Sequence, residues 1–224
     1  MITMNIKRFF RNNNLVIVIF CIFIVTIIGM SAAGWHSNNE TLSKHHQAHL
    51  SYGSYLMSGE FIEGVFENWE SEFLQMWALI ILTVYLQQKG SADSKPMRGD
   101  AAQDTSSRYS IIRANTWQSR NKAIGHAIYS HSLGLAMLAL FIISFLLHAI
   151  GGLEAYNQEA QQHSSETISF FGFIMSSEFW YQSLQNWQSE FLAIGALLVL
   201  SIKLRERGSP ESKPVGKKYD HETG

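Results

Sequence analysis

Cysteine occurs once in 224 residues, and charged residues make up only 16% of the chain. A single cysteine excludes an intramolecular disulfide, and Cys21, inside an apolar run, reads as a small buried apolar residue. Average soluble domains carry charge at roughly a quarter of positions. The deficit here, with 46% hydrophobic residues and mean hydropathy near zero, implies long apolar runs separated by polar segments. Enzyme signatures are missing too. There is no phosphate-cradling glycine loop, serine-nucleophile elbow, CxxC, HExxH or dinucleotide fingerprint. No cofactor and no nucleic-acid partner is therefore expected, and a non-enzymatic module is the leading reading.

What is present is apolar length. Leu15 to Met30 and Leu133 to Ile150 approach the roughly 20 residues that a helix needs to cross a bilayer. Phe73 to Leu86 and Phe191 to Leu204 are shorter and must recruit neighbours. Lys7, Arg8 and Arg11 before the first run, with Ser31-Ala32-Ala33 after it, have the outline of a secretory signal. A repeat argues against cleavage, because it gives that run a partner deep in the chain.

The repeat is plain. NWESEFL (Asn68 to Leu74) returns as NWQSEFL (Asn186 to Leu192), and KGSADSKP (Lys89 to Pro96) returns as RGSPESKP (Arg207 to Pro214). Residues 10–96 lie on residues 128–214 without a gap, with more than a quarter of positions identical. Each copy reads as an apolar helix, a polar loop, and a second helix ending in a basic, solvated tail. The expected fold is all-α, an integral membrane four-helix bundle made of two tandem hairpins in the same orientation. The first hairpin is expected over 1–96, with membrane helices at about 14–33 and 68–88 and an outer loop at 34–66. A basic linker covers 97–125. The second hairpin covers 126–214, with membrane helices at about 131–151 and 186–206 and an outer loop at 152–184. A tail covers 215–224.

Lys and Arg set the orientation. Sixteen of seventeen fall in residues 1–14, 87–132 and 203–224, and only Lys44 lies in an outer loop. Positive segments stay in the cytoplasm, so both termini and the linker are expected there. Within that linker, Ile111, Ile112 and Trp117 offer contacts to the inner leaflet. Leu50 to Met57 and Ile168 to Met175 read as short helices in the outer headgroup layer. Ser58 and Ser176 are placed to cap the second helices, Glu60 and Glu178 suit their first turns, and Gly90 and Gly208 suit their ends. Those helices should run about 30 residues, or roughly 45 Å.

Phe73 to Leu86 covers only about 21 Å of a core some 30 Å thick, so each span should extend outward through Glu72 or Glu190. Steps of three and four put Asn68, Glu72, Gln75, Leu79 and Thr83 on one stripe, and Asn186, Glu190, Ala193, Leu197 and Ser201 on its counterpart. A polar stripe turns from lipid toward the bundle interior. Glu72 and Glu190 are then candidates for binding a proton, a cation or a ligand, with interhelical glue as the plainer role. His45 and His49, four apart, suit a metal if helical, although in a polar loop they are ordinarily solvated. His148 reads as an interface residue.

FFRNNNL (Phe9 to Leu15), ENWESEFLQM (Glu67 to Met76) and LQQKGSADSKP (Leu86 to Pro96) together resemble a bacterial family of small multi-pass membrane proteins, catalogued as a domain of unknown function. The resemblance covers nearly the whole chain. It implies an inner-membrane protein with four helices, and no site is carried over. The second copy departs at Ile128 to His131, which replace Phe10 to Asn13, so any role of that first tetrad is not duplicated. The expected partners are the lipid bilayer and another membrane protein or a second copy. Three functions stay open: a structural membrane module, a small permeation or sensing protein using Glu72 and Glu190, and an enzyme acting on a lipid or quinone.

Overall fold

The computed structural model describes residues 6–97, 101 and 125–218. Most of those residues are helical, with no strand among them. The helices are α1 (Ile6–Lys44), α2 (Tyr52–Tyr55), α3 (Gly59–Tyr85), α4 (Ser132–Gln162), α5 (Phe170–Ile174) and α6 (Ser177–Lys203), and residues 125–130 are helical as well. Most of the basic linker, with Ile111, Ile112 and Trp117, lies outside the described residues, as does the end of the tail.

α1 leaves helical geometry at Asn13 (φ −127°, ψ 17°). The Asn13 side chain there donates to the Phe9 carbonyl, at 2.8 Å, in competition with the regular helix bonds. The stretches Asn14–Lys44 and Ser132–Gln162 are each long and apolar enough to cross a membrane. Their apolar windows are only 6% and 22% buried. Neither is covered by the other described residues in the way the core helix of a soluble domain is. Cys21 corrects the sequence reading: it is exposed on α1, not buried, because nothing among the described residues covers that part of the helix.

The segments 34–66 and 152–184, expected as loops, are largely helical. α1 and α4 run eleven residues past 33 and 151, to Lys44 and Gln162. Both stop in the same way. His46 (φ 56°) and Ser164 (φ 55°) turn left-handed, Gln47 N–H reaches back to Leu42 O at 2.9 Å, and Ser165 N–H to Ala160 O at 2.7 Å. This is a Schellman end built without glycine. The chain is then clamped to the helix it has left. Asn39 bonds both backbone groups of Leu50, at 3.1 and 2.7 Å. Asn157 does the same to Ile168, at 3.1 and 2.8 Å.

Ser58 and Ser176 cap the next helices as expected, accepting from Phe61 N–H (3.4 Å) and Phe179 N–H (3.2 Å). Each capped helix is 27 residues long, or about 40 Å. Both end before their glycines. Gly90 (φ 84°) and Gly208 (φ 91°) instead sit in a following turn, where Ser94 Oγ accepts from Gln88 N–H and Ser212 Oγ from Glu206 N–H. These repeated segments form turns in which Ser91, Ser94 and Lys213 are buried, although most of residues 207–214 is exposed.

The chain divides into two units, Met1–Gly64 with Ile150–Ser169, and Val65–Ala149 with Phe170–Gly224. The first unit is pinned by a close helix crossing. A Cβ added at Gly59 would stand 2.6 Å from Gly151 O, and one added at Gly151 would stand 2.6 Å from Glu63 N. Only glycine lets these backbones approach so closely. The core of the second unit is aromatic, with Phe179 packed on Phe173 (5.5 Å) and Phe145 (5.2 Å).

Candidate functional site

The second unit also holds the buried polar chemistry. Glu70 on α3 and His148 on α4 are both 0% exposed. His148 Nδ1 lies 3.0 Å from Glu70 Oε2. The other Glu70 oxygen accepts from the Trp187 indole N–H, at 3.1 Å. On the far side of the imidazole, Nε2 lies 3.2 Å from Gln182 Oε1, and the ring leans on Phe179 with centroids 4.9 Å apart. One helix turn along α6, Asn186 donates to Glu67 Oε1 at 2.6 Å.

Helical geometry brings these residues together. Phe179, Ser183 and Trp187 are four apart, so they form one stripe on α6, flanked by Gln182 and Asn186. Ser144 and His148 share the facing turn of α4, and both are buried. Removing a carboxylate from water costs several kcal/mol unless each oxygen finds a partner. Here both oxygens have one.

The stripe expected from the sequence is placed differently. Asn68 and Glu72 are exposed, and the carboxylate that α3 buries is Glu70, two residues and about 200° around the helix from Glu72. Gln75 donates to the Glu190 carbonyl at 3.2 Å, and Glu72 and Glu190 are near enough for their charges to interact. Thr83 and Ser201 bond back to their own helices, to Leu79 and Leu198. Asn186 joins Glu67 and not Glu190.

The helical spacing on which a metal reading of His45 and His49 depends is not present. α1 ends at Lys44, so the two histidines share no helical face. His49 Nε2 is engaged with Ser43 Oγ at 2.6 Å, and His45 rests edge-on against His163, with centroids 5.6 Å apart. Among the described residues no group of three or more His, Cys, Asp or Glu is placed to hold a metal.

Comparison with known families is decisive over nearly the full length. The model for the family described as Domain of unknown function (DUF6766) matches residues 6–224. The chain belongs to this family. No curated protein and no solved structure matches it. Within this DUF6766 chain, the polar centre of the site falls where the two copies differ, while Phe179 and Trp187 repeat Phe61 and Trp69. Glu70 stands against Gln188, His148 against Met30, and Gln182 against Gly64. At the apolar counterpart, a Cβ on Gly64 would touch the Met30 methyl at 3.5 Å. The agreement between copies drew attention to Glu72 and Glu190. The signal for Glu70 and His148 was the disagreement.

Proposed function

We propose that this DUF6766 chain is a multi-pass membrane protein of the bacterial inner membrane and a proton-responsive permeation or sensing module, not an enzyme. In this reading α1, α3, α4 and α6 all cross the bilayer as two hairpins of one orientation. The termini and linker are cytoplasmic, and α2 and α5 lie at the outer headgroups. The uncovered apolar surfaces of α1 and α4 support the membrane placement, since soluble monomers rarely leave such large contiguous patches bare. Lys and Arg distribution supports the orientation.

The observation that carries the functional half is the fully buried Glu70–His148 pair. Ionisable side chains inside a membrane are expensive, and they mark proton or ion chemistry more often than architecture. Histidine changes charge near neutral pH, and a carboxylate beside it supplies the counter-charge. Glu72 and Glu190 form a second, more exposed acidic pair in the same reading, whose interacting charges suit a cation or proton arriving from outside.

Reconstitution tests the proposal. The full chain is placed in phosphatidylethanolamine–phosphatidylglycerol vesicles, and a pH step is imposed. Proton flux and protease access to the outer segments are both followed. The expected result is a pH-dependent response in at least one readout that Glu70→Gln removes while insertion is retained. Identical behaviour of wild type and Glu70→Gln in both readouts overturns the functional half. Modification of an introduced outer-loop cysteine only from the cytoplasmic side overturns the orientation.

A further inference from the structure

The hydrogen-bond pattern around His148 fixes how many protons the cluster holds. Nδ1 faces a carboxylate oxygen of Glu70, and Nε2 faces the amide oxygen of Gln182. The Gln182 nitrogen is turned to Glu178 Oε1, at 3.4 Å, which leaves its oxygen for the imidazole. Turning that amide over would set two oxygens against each other at Glu178. A neutral imidazole has one N–H and one bare nitrogen. Both of its nitrogens here meet oxygen, so with Glu70 ionised one bare nitrogen would face an oxygen lone pair. One additional proton on Nδ1 removes that conflict, setting an imidazolium N–H against the Glu70 carboxylate.

A second observation stands beside the first. Ser183 is fully buried, and its hydroxyl has no hydrogen-bond partner among the described residues. It lies on the α6 stripe one turn from Phe179, which touches the His148 ring, and one turn from Trp187, which binds Glu70. A buried hydroxyl without a partner is rare and costly, and a bound water is the usual way to satisfy it.

We infer that Glu70 and His148 form a single proton-binding site, one labile proton being held between Glu70 Oε2 and His148 Nδ1, and that Ser183 seats the water through which that proton exchanges. Loss of the proton to this water leaves one imidazole nitrogen bare against an oxygen, that of Glu70 or that of Gln182 according to the tautomer, and two acceptors so placed repel. The site thereby converts proton release into loosening of α4 from α3 or from α6 at this level. The groups that face His148 are Glu70 and Glu67 from α3, with Gln182, Trp187 and, through Gln182, Glu178 from α6. α4 itself adds no ionisable residue within a turn of it. The inference deepens the proton-responsive reading and rests on the same pair.

The test is nitrogen-15 NMR of the histidine rings in the full chain, in the same lipid vesicles at about pH 7. The chain has nine histidines, and His148 is assigned by difference against His148→Gln. The wild type is expected to show neither His148 nitrogen as a bare lone pair. In Glu70→Gln one nitrogen is expected to move to the lone-pair position. A bare nitrogen in the wild-type spectrum overturns the proton site by itself, whatever the variants do. Ser183→Ala is expected to keep the protonated ring while its exchange with water is lost or slowed at least several-fold. Unchanged exchange overturns the role of Ser183. These readings are spectroscopic, so they fail independently of the vesicle flux and protease measurements.

Discussion

Glu70 Oε2 and His148 Nδ1 stand 3.0 Å apart, with both side chains fully buried and 78 residues between them in sequence. Removing one member of such a pair strands the other, at a cost of about 3–5 kcal/mol, whereas replacing both with apolar or neutral groups is often near neutral. The chain contains its own template for the replacement, since Gln188 and Met30 occupy the corresponding positions. Glu70→Gln and His148→Met are each expected to destabilise the protein in detergent. The double variant is expected to recover most of the loss. Thermal midpoints of the four proteins in a double-mutant cycle check this, and additive effects would show that the pair is not coupled.

Trp187 supplies the other bond to Glu70, at 3.1 Å. Trp187→Phe keeps the ring beside Phe141 (6.2 Å) and Trp180 (6.1 Å) while deleting the N–H. A buried carboxylate oxygen without its donor costs about 1–3 kcal/mol. The variant is expected to lose that much stability in the wild-type background, and clearly less when position 70 is already Gln. Equal losses in both backgrounds would assign the effect to packing of the indole alone.

Much of this architecture is readable from the letters, and the reasons differ by element. The long apolar runs and the caps at Ser58 and Ser176 were visible because helix periodicity and capping chemistry are local. The ends of α1 and α4 were hidden because His46 and Ser164 adopt the left-handed turn that glycine ordinarily announces. Asn39 and Asn157 then hold the returning chain through side-chain bonds that no spacing rule signals. Helical spacing gives which residues share a face but not which face is covered, and on α3 the covered carboxylate is Glu70 while Glu72 is exposed. Glu70 and His148 meet only in three dimensions. Their trace in the sequence is the failure of the repeat at those positions.

The crossing of α3 and α4 in the first unit depends on two hydrogens. A side chain at Gly151 would meet backbone at Glu63 N (2.6 Å), and one at Gly59 would meet Ala155 N (2.7 Å) as well as the Gly151 carbonyl. Backbone atoms cannot rotate aside, so the helices must part. Gly151→Ala is expected to lose about 1–3 kcal/mol, in the range of overpacked cores. Gly29→Ala is the control, because nothing lies within 4 Å of a Cβ there; in a helix it should be neutral or slightly stabilising. Parallel unfolding curves decide the point, and a Gly151→Ala protein as stable as Gly29→Ala would remove the crossing as a source of stability.

The folded turns after α3 and α6 make stability depend on acidity. Burial pushes the Asp93 carboxyl above the ordinary value of 3.8, and the negative charge of Glu211 pushes it further. A carboxyl whose folded value is raised favours the folded state fully below its unfolded value, and that contribution is lost as pH rises through the folded one. At neutral pH the ionised Asp93 therefore works against its own turn. Asp93→Asn is expected to stabilise the segment at neutral pH, most visibly as slower proteolysis of residues 86–97. The advantage should shrink as pH falls and vanish below 3.8, where the wild-type carboxyl is protonated in both states. Glu211→Gln should give a smaller gain of the same sign, because the neighbouring charge is the lesser of the two causes. An advantage of Asp93→Asn that does not change with pH would place its origin in the turn geometry, where Ser91 Oγ accepts from Asp93 N–H at 3.1 Å, and not in the carboxylate.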